Sequence, residues 1–137
     1  MKLKYVSVFL TLALVCACSS IPRETDQQAL ARLTSYAGAP VDDIRTYSHF
    51  DGWSPVDERH ILINSGVNAA YLLTVSPPCS ELPFATHVAF TSRFPHTISR
   101  LDFVKVGRNR CLITEIRPVN TKQMRADSEQ QKAQKES

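Results

Sequence analysis

The apolar positions change period along the chain, and each change predicts a different element. A largely apolar run from Tyr5 to Val15 comes first, about eleven residues long and preceded by Lys2 and Lys4. A membrane-spanning helix needs roughly 20 apolar residues, so this run is too short to cross a bilayer and reads as a signal segment. From Thr25 the pattern turns helical. Thr25-Asp26-Gln27-Gln28 reads as a capping box, and Ala29, Leu30, Leu33, Tyr36 and Ala37 recur on one face until Gly38 and Pro40 stop the pattern. One short amphipathic helix is predicted, its modest stripe packed on its own domain rather than laid on a membrane. Beyond Val41 come short β-type runs: Ile44 to Phe50, His60 to Asn64, Ala69 to Val75, His87 to Thr91, Leu101 to Val106 and Leu112 to Val119. Asp51-Gly52, Ser65-Gly66, Pro77-Pro78 and Gly107-Arg108-Asn109 punctuate them.

About six strands without long intervening helices predict a mainly β fold, a small antiparallel sheet curled into a sandwich or open barrel after one N-terminal helix. Leu101 and Phe103 alternate with Val104 and Val106, as Leu112 and Ile116 do with Ile113, so the last strands are expected to be covered on both faces. The segment 121–137 is rich in Lys, Gln, Glu and Ala, with no aromatic or branched apolar residue after Thr121, and is predicted to be a disordered charged tail. The expected organisation is a signal peptide (1–17), a tether and short helix (18–40), a β domain (41–120) and the tail (121–137).

Behind the apolar run, Val15-Cys16-Ala17-Cys18 resembles the lipobox of bacterial lipoproteins. That resemblance implies that Cys18 becomes the first mature residue and carries diacylglycerol on sulfur and an acyl chain, such as palmitate, on nitrogen. An ordinary secretory signal cut near Ala17 is the competing reading. Two or three acyl chains on one residue give stable membrane anchoring where a single chain does not. Ser19 rather than Asp after the cysteine favours the periplasmic face of the outer membrane by resemblance to known sorting rules.

Removing the signal changes the charge picture. The chain has 16 Lys and Arg against 13 Asp and Glu, and losing Lys2 and Lys4 leaves fourteen against thirteen. The mature protein is therefore near neutral. No basic stretch interleaved with aromatics is visible, which argues against nucleic acid as a partner. Of the 4 cysteines, Cys16 leaves with the signal and Cys18 takes lipid, so Cys79 and Cys111 remain. An even pair in an oxidising envelope is most simply a disulfide. The rival readings are a redox couple, which usually shows Cys-x-x-Cys spacing, and a zinc site, which needs further ligands; neither pattern is present.

The segments Asp51-Gly52-Trp53-Ser54-Pro55-Val56, His60 to Asn64, Ala70-Tyr71-Leu72-Leu73-Thr74-Val75 and Cys79-Ser80-Glu81-Leu82, followed by Leu101 to Val106, Arg110-Cys111-Leu112-Ile113 and Glu115-Ile116-Arg117-Pro118-Val119, resemble a family of small proteobacterial lipoproteins known only as a domain of unknown function. The likeness covers roughly 41–120 and includes both domain cysteines. It implies no activity and no catalytic residue.

Candidate chemistry is sparse, and no cofactor is implied. His49, His60, His87 and His96 are candidate metal ligands or catalytic bases, yet none stands at i, i+2 or i, i+4 from another histidine. Asp57-Glu58-Arg59-His60 gathers acid, base and imidazole, an arrangement more typical of a solvated turn than of acid–base catalysis. Ser76, Ser80 and Ser92 lie in no Gly-x-Ser-x-Gly elbow, and there is no glycine-rich phosphate loop. Trp53, with Tyr71, is either core or the lining of a groove, and core is expected. Glu115 and Arg117 share a strand face and form either an ion pair or a contact for a partner. The expectation is a non-catalytic, lipid-anchored module binding an envelope component. An enzyme or metal-dependent protein using the histidines, and an inhibitor or accessory subunit of an envelope complex, are the alternatives.

Overall fold

The computed structural model describes residues 22–46 and 50–137. The signal segment, Cys18, Tyr47 and His49 lie outside the described residues. Helix α1 spans Asp26–Ser35 and begins as its capping box dictates: the Thr25 hydroxyl accepts from the Gln28 N–H at 3.2 Å, and the Gln28 side chain accepts from the Thr25 N–H at 3.0 Å. The strands are β1 (Asp43–Arg45), β2 (Gly52–Pro55), β3 (His60–Asn64), β4 (Ala70–Val75), β5 (Ala89–Thr91), β6 (Thr97–Ser99), β7 (Phe103–Val106) and β8 (Asn109–Val119), with a 3-10 turn at Leu82–Phe84.

A six-stranded antiparallel sheet in the order β2-β3-β4-β8-β7-β5 curls into a half-barrel, and β1 pairs with β6 in a separate ribbon. The inner face is the main core. Ile61, Ile63, Leu73, Val75, Val104, Val106, Ile113 and Ile116 meet there, closed by Ile44 and Ile98 from the ribbon and by Leu82 from the 3-10 turn. The outer face over β3, β4 and the end of β8 carries a second cluster, in which Leu33 of α1 packs with Val56, Ala70, Leu72 and Val119.

The central strand β8 serves two neighbours. Its first half pairs with β7, and its second half pairs with β4. Between them a bulge shifts the register, so that Thr74 faces Glu115 while Val75 faces Ile113. The extra residue places Ile113 and Ile116 on the same inner face, correcting the strict alternation expected of Leu112, Ile113 and Ile116. The segment after α1 covers the remaining edge of β8: Gly38 donates to the Pro118 carbonyl at 2.7 Å and Val41 to the Ile116 carbonyl at 2.8 Å.

Where a disordered charged tail is expected, the structure has a helix. Helix α2 spans Thr121–Glu136, capped by the Asn120 side chain, which accepts from the Gln123 N–H at 3.1 Å. Its first two turns dock on the domain. Met124 packs on the outer cluster, Thr121 donates to the Asn68 carbonyl at 3.0 Å, and Tyr36 donates to the Asp127 carboxylate at 2.7 Å. Composition misses this helix because one methionine and the tyrosine that caps α1 suffice to seat it, while its outer half stays solvated.

Candidate functional site

Cys79 and Cys111 are bonded, with Cα atoms 5.8 Å apart, joining the chain beyond β4 to the first half of β8. The bridge holds the Leu82–Phe84 turn against the inner core, because Cys79 and Leu82 are both buried there and the Leu82 N–H donates to the Cys79 carbonyl at 3.0 Å. Beyond the bridge, Ser80, Glu81, Phe84 and His87 face Val106 and Gly107 across an open groove of about 270 Å³. Gly107 has φ +54, and the Glu81 carboxylate lies where a Cβ at that position would sit. The left-handed backbone favours glycine there, whereas the Glu81 carboxylate is the end of a flexible side chain that can swing aside. The Phe84 ring is 84% exposed, while the His87 ring Nδ1 lies 3.2 Å from the Thr86 hydroxyl.

The four residues singled out as a weak binding surface divide between two faces. Trp53 stands opposite Ile63, Ile63 opposite Tyr71, and Tyr71 opposite Pro118, a single row on the inner face where Trp53 and Tyr71 are half-buried against the core. Trp53 and Tyr71 thus line the core side of the sheet. Glu115 faces Thr74 and Arg117 faces Leu72, on the helix side. Arg117 donates from Nε to the Gly38 carbonyl at 3.0 Å and stands 3.9 Å from Glu115, so its first task is internal, tying the covering segment to β8.

The described histidines, His60, His87 and His96, are held apart on separate segments. His60 closes the β2–β3 turn, its Nδ1 2.8 Å from the Asp57 carboxylate, which also accepts from the Arg59 N–H at 2.7 Å. The Asp57-Glu58-Arg59-His60 cluster is therefore a turn built on one carboxylate. His87 borders the groove, and His96 sits at φ 58 in the loop before β6, its carbonyl accepting from the Thr46 N–H at 2.7 Å. Among the described residues no group of three or more His, Cys, Asp or Glu is placed to hold a metal ion.

Electrostatic perturbation is concentrated at the helix pair. The Arg32 guanidinium grips the Glu24 carboxylate at 2.9 and 3.0 Å, which holds that carboxyl below and the guanidinium above its usual range. The hydrogen bond to Asp127, with burial second, raises the Tyr36 hydroxyl above the ordinary tyrosine value.

These contacts are structural; the exposed ring, carboxylate and imidazole around Gly107 offer a surface for contact rather than an enclosed reaction chamber. By sequence, the family of unknown function DUF6491 matches residues 1–135. The chain belongs to DUF6491. The match spans the helix, the half-barrel and both cysteines, so for this member of DUF6491 the curled sheet and its disulfide form the domain that the family pattern covers. No curated protein and no solved structure matches the chain.

Proposed function

We propose that this member of DUF6491 is an envelope lipoprotein, held by lipid on Cys18 at the periplasmic face of the outer membrane, whose β domain is a non-catalytic binding or accessory module. The observation that carries the reading is Val15-Cys16-Ala17-Cys18 directly behind a short apolar run with Lys2 and Lys4 ahead of it. The Cys79–Cys111 bond supports it independently, because disulfides persist in oxidising compartments such as the periplasm. The separate placement of His60, His87 and His96 favours a binding role over a histidine-based enzyme.

Crosslinking in whole cells, followed by membrane fractionation, tests this function. The expected result is a discrete crosslinked species in the outer-membrane fraction that disappears when Cys18→Ala blocks lipidation and leaves the chain as an uncleaved precursor. Recovery of the wild-type chain in the cytosol, uncrosslinked and with free thiols at Cys79 and Cys111, contradicts it.

A further inference from the structure

We propose that the tip of the β7–β8 hairpin, together with Phe84, is a docking surface for an anionic lipid bilayer. Lys105 stands directly opposite Arg110 in the ladder, and Arg108 occupies the turn between them. Like charges directly opposed across a sheet are destabilising, and among the described residues none of these cations is in an ion pair with an acid. The Arg110 guanidinium lies 4.4 Å from the centre of the Phe103 ring, a contact that positions the cation without neutralising it. An anionic surface would neutralise all three cations at once.

The second observation is apolar. Phe84 is 84% exposed and borders the same groove as Val106 and Gly107, so a bare phenyl ring stands beside the basic turn. Glu81 rests against Gly107 and offsets only part of the positive charge. Lys105 and Arg110 leave the hairpin face opposite the buried Val104 and Val106, and Phe84 lies on the Val106 side, so the ring and the cations come together only at the tip. An aromatic ring at the headgroup boundary, with cations at the same tip reaching lipid phosphates, is a combination an interfacial contact uses. An acidic protein partner would satisfy the cations but would need shape complementarity to cover the ring, and the groove is open and shallow. The inference rests on the lipoprotein reading only in that the anchor brings the tip within reach of a membrane.

Amide exchange of the mature full chain tests it on vesicles of phosphatidylcholine alone and of phosphatidylcholine with phosphatidylglycerol. Residues 84–88 and 107–108 lie outside the strand ladders, and their exchange should slow severalfold on the anionic vesicles only. That protection should vanish at high salt, which screens exposed charges. It should also vanish in Lys105→Glu with Arg108→Glu, which keeps Arg110 over Phe103 and removes the opposed cations, so the variant stays folded. Equal exchange on the two vesicle types overturns the proposal, as does protection by an acidic protein with none by phosphatidylglycerol. Flotation with the neutral vesicles reports the Cys18 anchor separately: a chain that fails to float there but is protected by anionic vesicles contradicts the anchor and upholds the docking surface.

Discussion

The Phe50 ring, just ahead of β2, lies 4.8 Å from the Phe90 ring of β5, centroid to centroid, with the planes tilted by 48°. Because β2 and β5 are the outermost strands of the sheet, this contact spans the opening of the half-barrel. It replaces the backbone pairing that would otherwise close a barrel, and it rests on the same core as Trp53 and Tyr71.

A double-mutant cycle on Phe50→Ala and Phe90→Ala should therefore show coupling of about 0.5–1.5 kcal/mol, the range for aromatic pairs beyond simple burial. Chemical denaturation of the two single variants and the double variant measures it. Strictly additive losses would mean that the edges do not communicate through these rings.

Helix α2 divides into a docked half and a solvated half. Deleting 129–137 should shift the melting midpoint by no more than about 2 °C, since exposed surface contributes little to the cooperative unit. Deleting 121–137 also removes Met124 and Thr121 and uncovers Leu33 and Val119. A loss of about 1–2 kcal/mol is expected, or roughly 4–10 °C for a domain of this size. Equal midpoints for the two truncations would contradict the docked first turns.

How much of this was legible in the sequence depended on how locally each feature is encoded. The capping box at Thr25 and the bounds of β3 and β4 are set by neighbouring residues and could be read directly. Strand β2 was hidden because Gly52 and Pro55 bracket Trp53, which reads as a turn, yet an edge strand tolerates both residues. Strand β6 was missed because Pro95 and the left-handed His96 precede only a three-residue strand. Relationships between distant segments were not legible at all: the β8 bulge, the Phe50–Phe90 contact and the seating of Met124 depend on which strands the fold brings together. The groove at Gly107 leaves only a weak local sign, the glycine turn Gly107-Arg108-Asn109, since its partners Glu81 and Phe84 arrive from beyond the disulfide.

The Tyr36–Asp127 hydrogen bond gives stability a pH dependence of known sign. Tyr36 titrates higher in the folded chain than in the unfolded one, first because it donates to Asp127 and then through burial. Its contribution is fully present below the ordinary tyrosine value of about 10 and is lost as the pH rises through the folded value. The stability advantage of the wild type over Tyr36→Phe should thus hold up to about pH 10 and shrink as the pH is raised further, measured by urea midpoints. An advantage that grows with pH would reverse the assignment.

Mass analysis of the N-terminal peptide of the mature protein, extracted from membranes with detergent, tests the central claim most directly. The expected peptide begins at Cys18 and carries diacylglycerol on sulfur and an acyl chain on nitrogen, while Cys18→Ala accumulates as an uncleaved, unlabelled precursor. A mature chain that begins elsewhere, or an unmodified Cys18 thiol, would contradict the lipoprotein account.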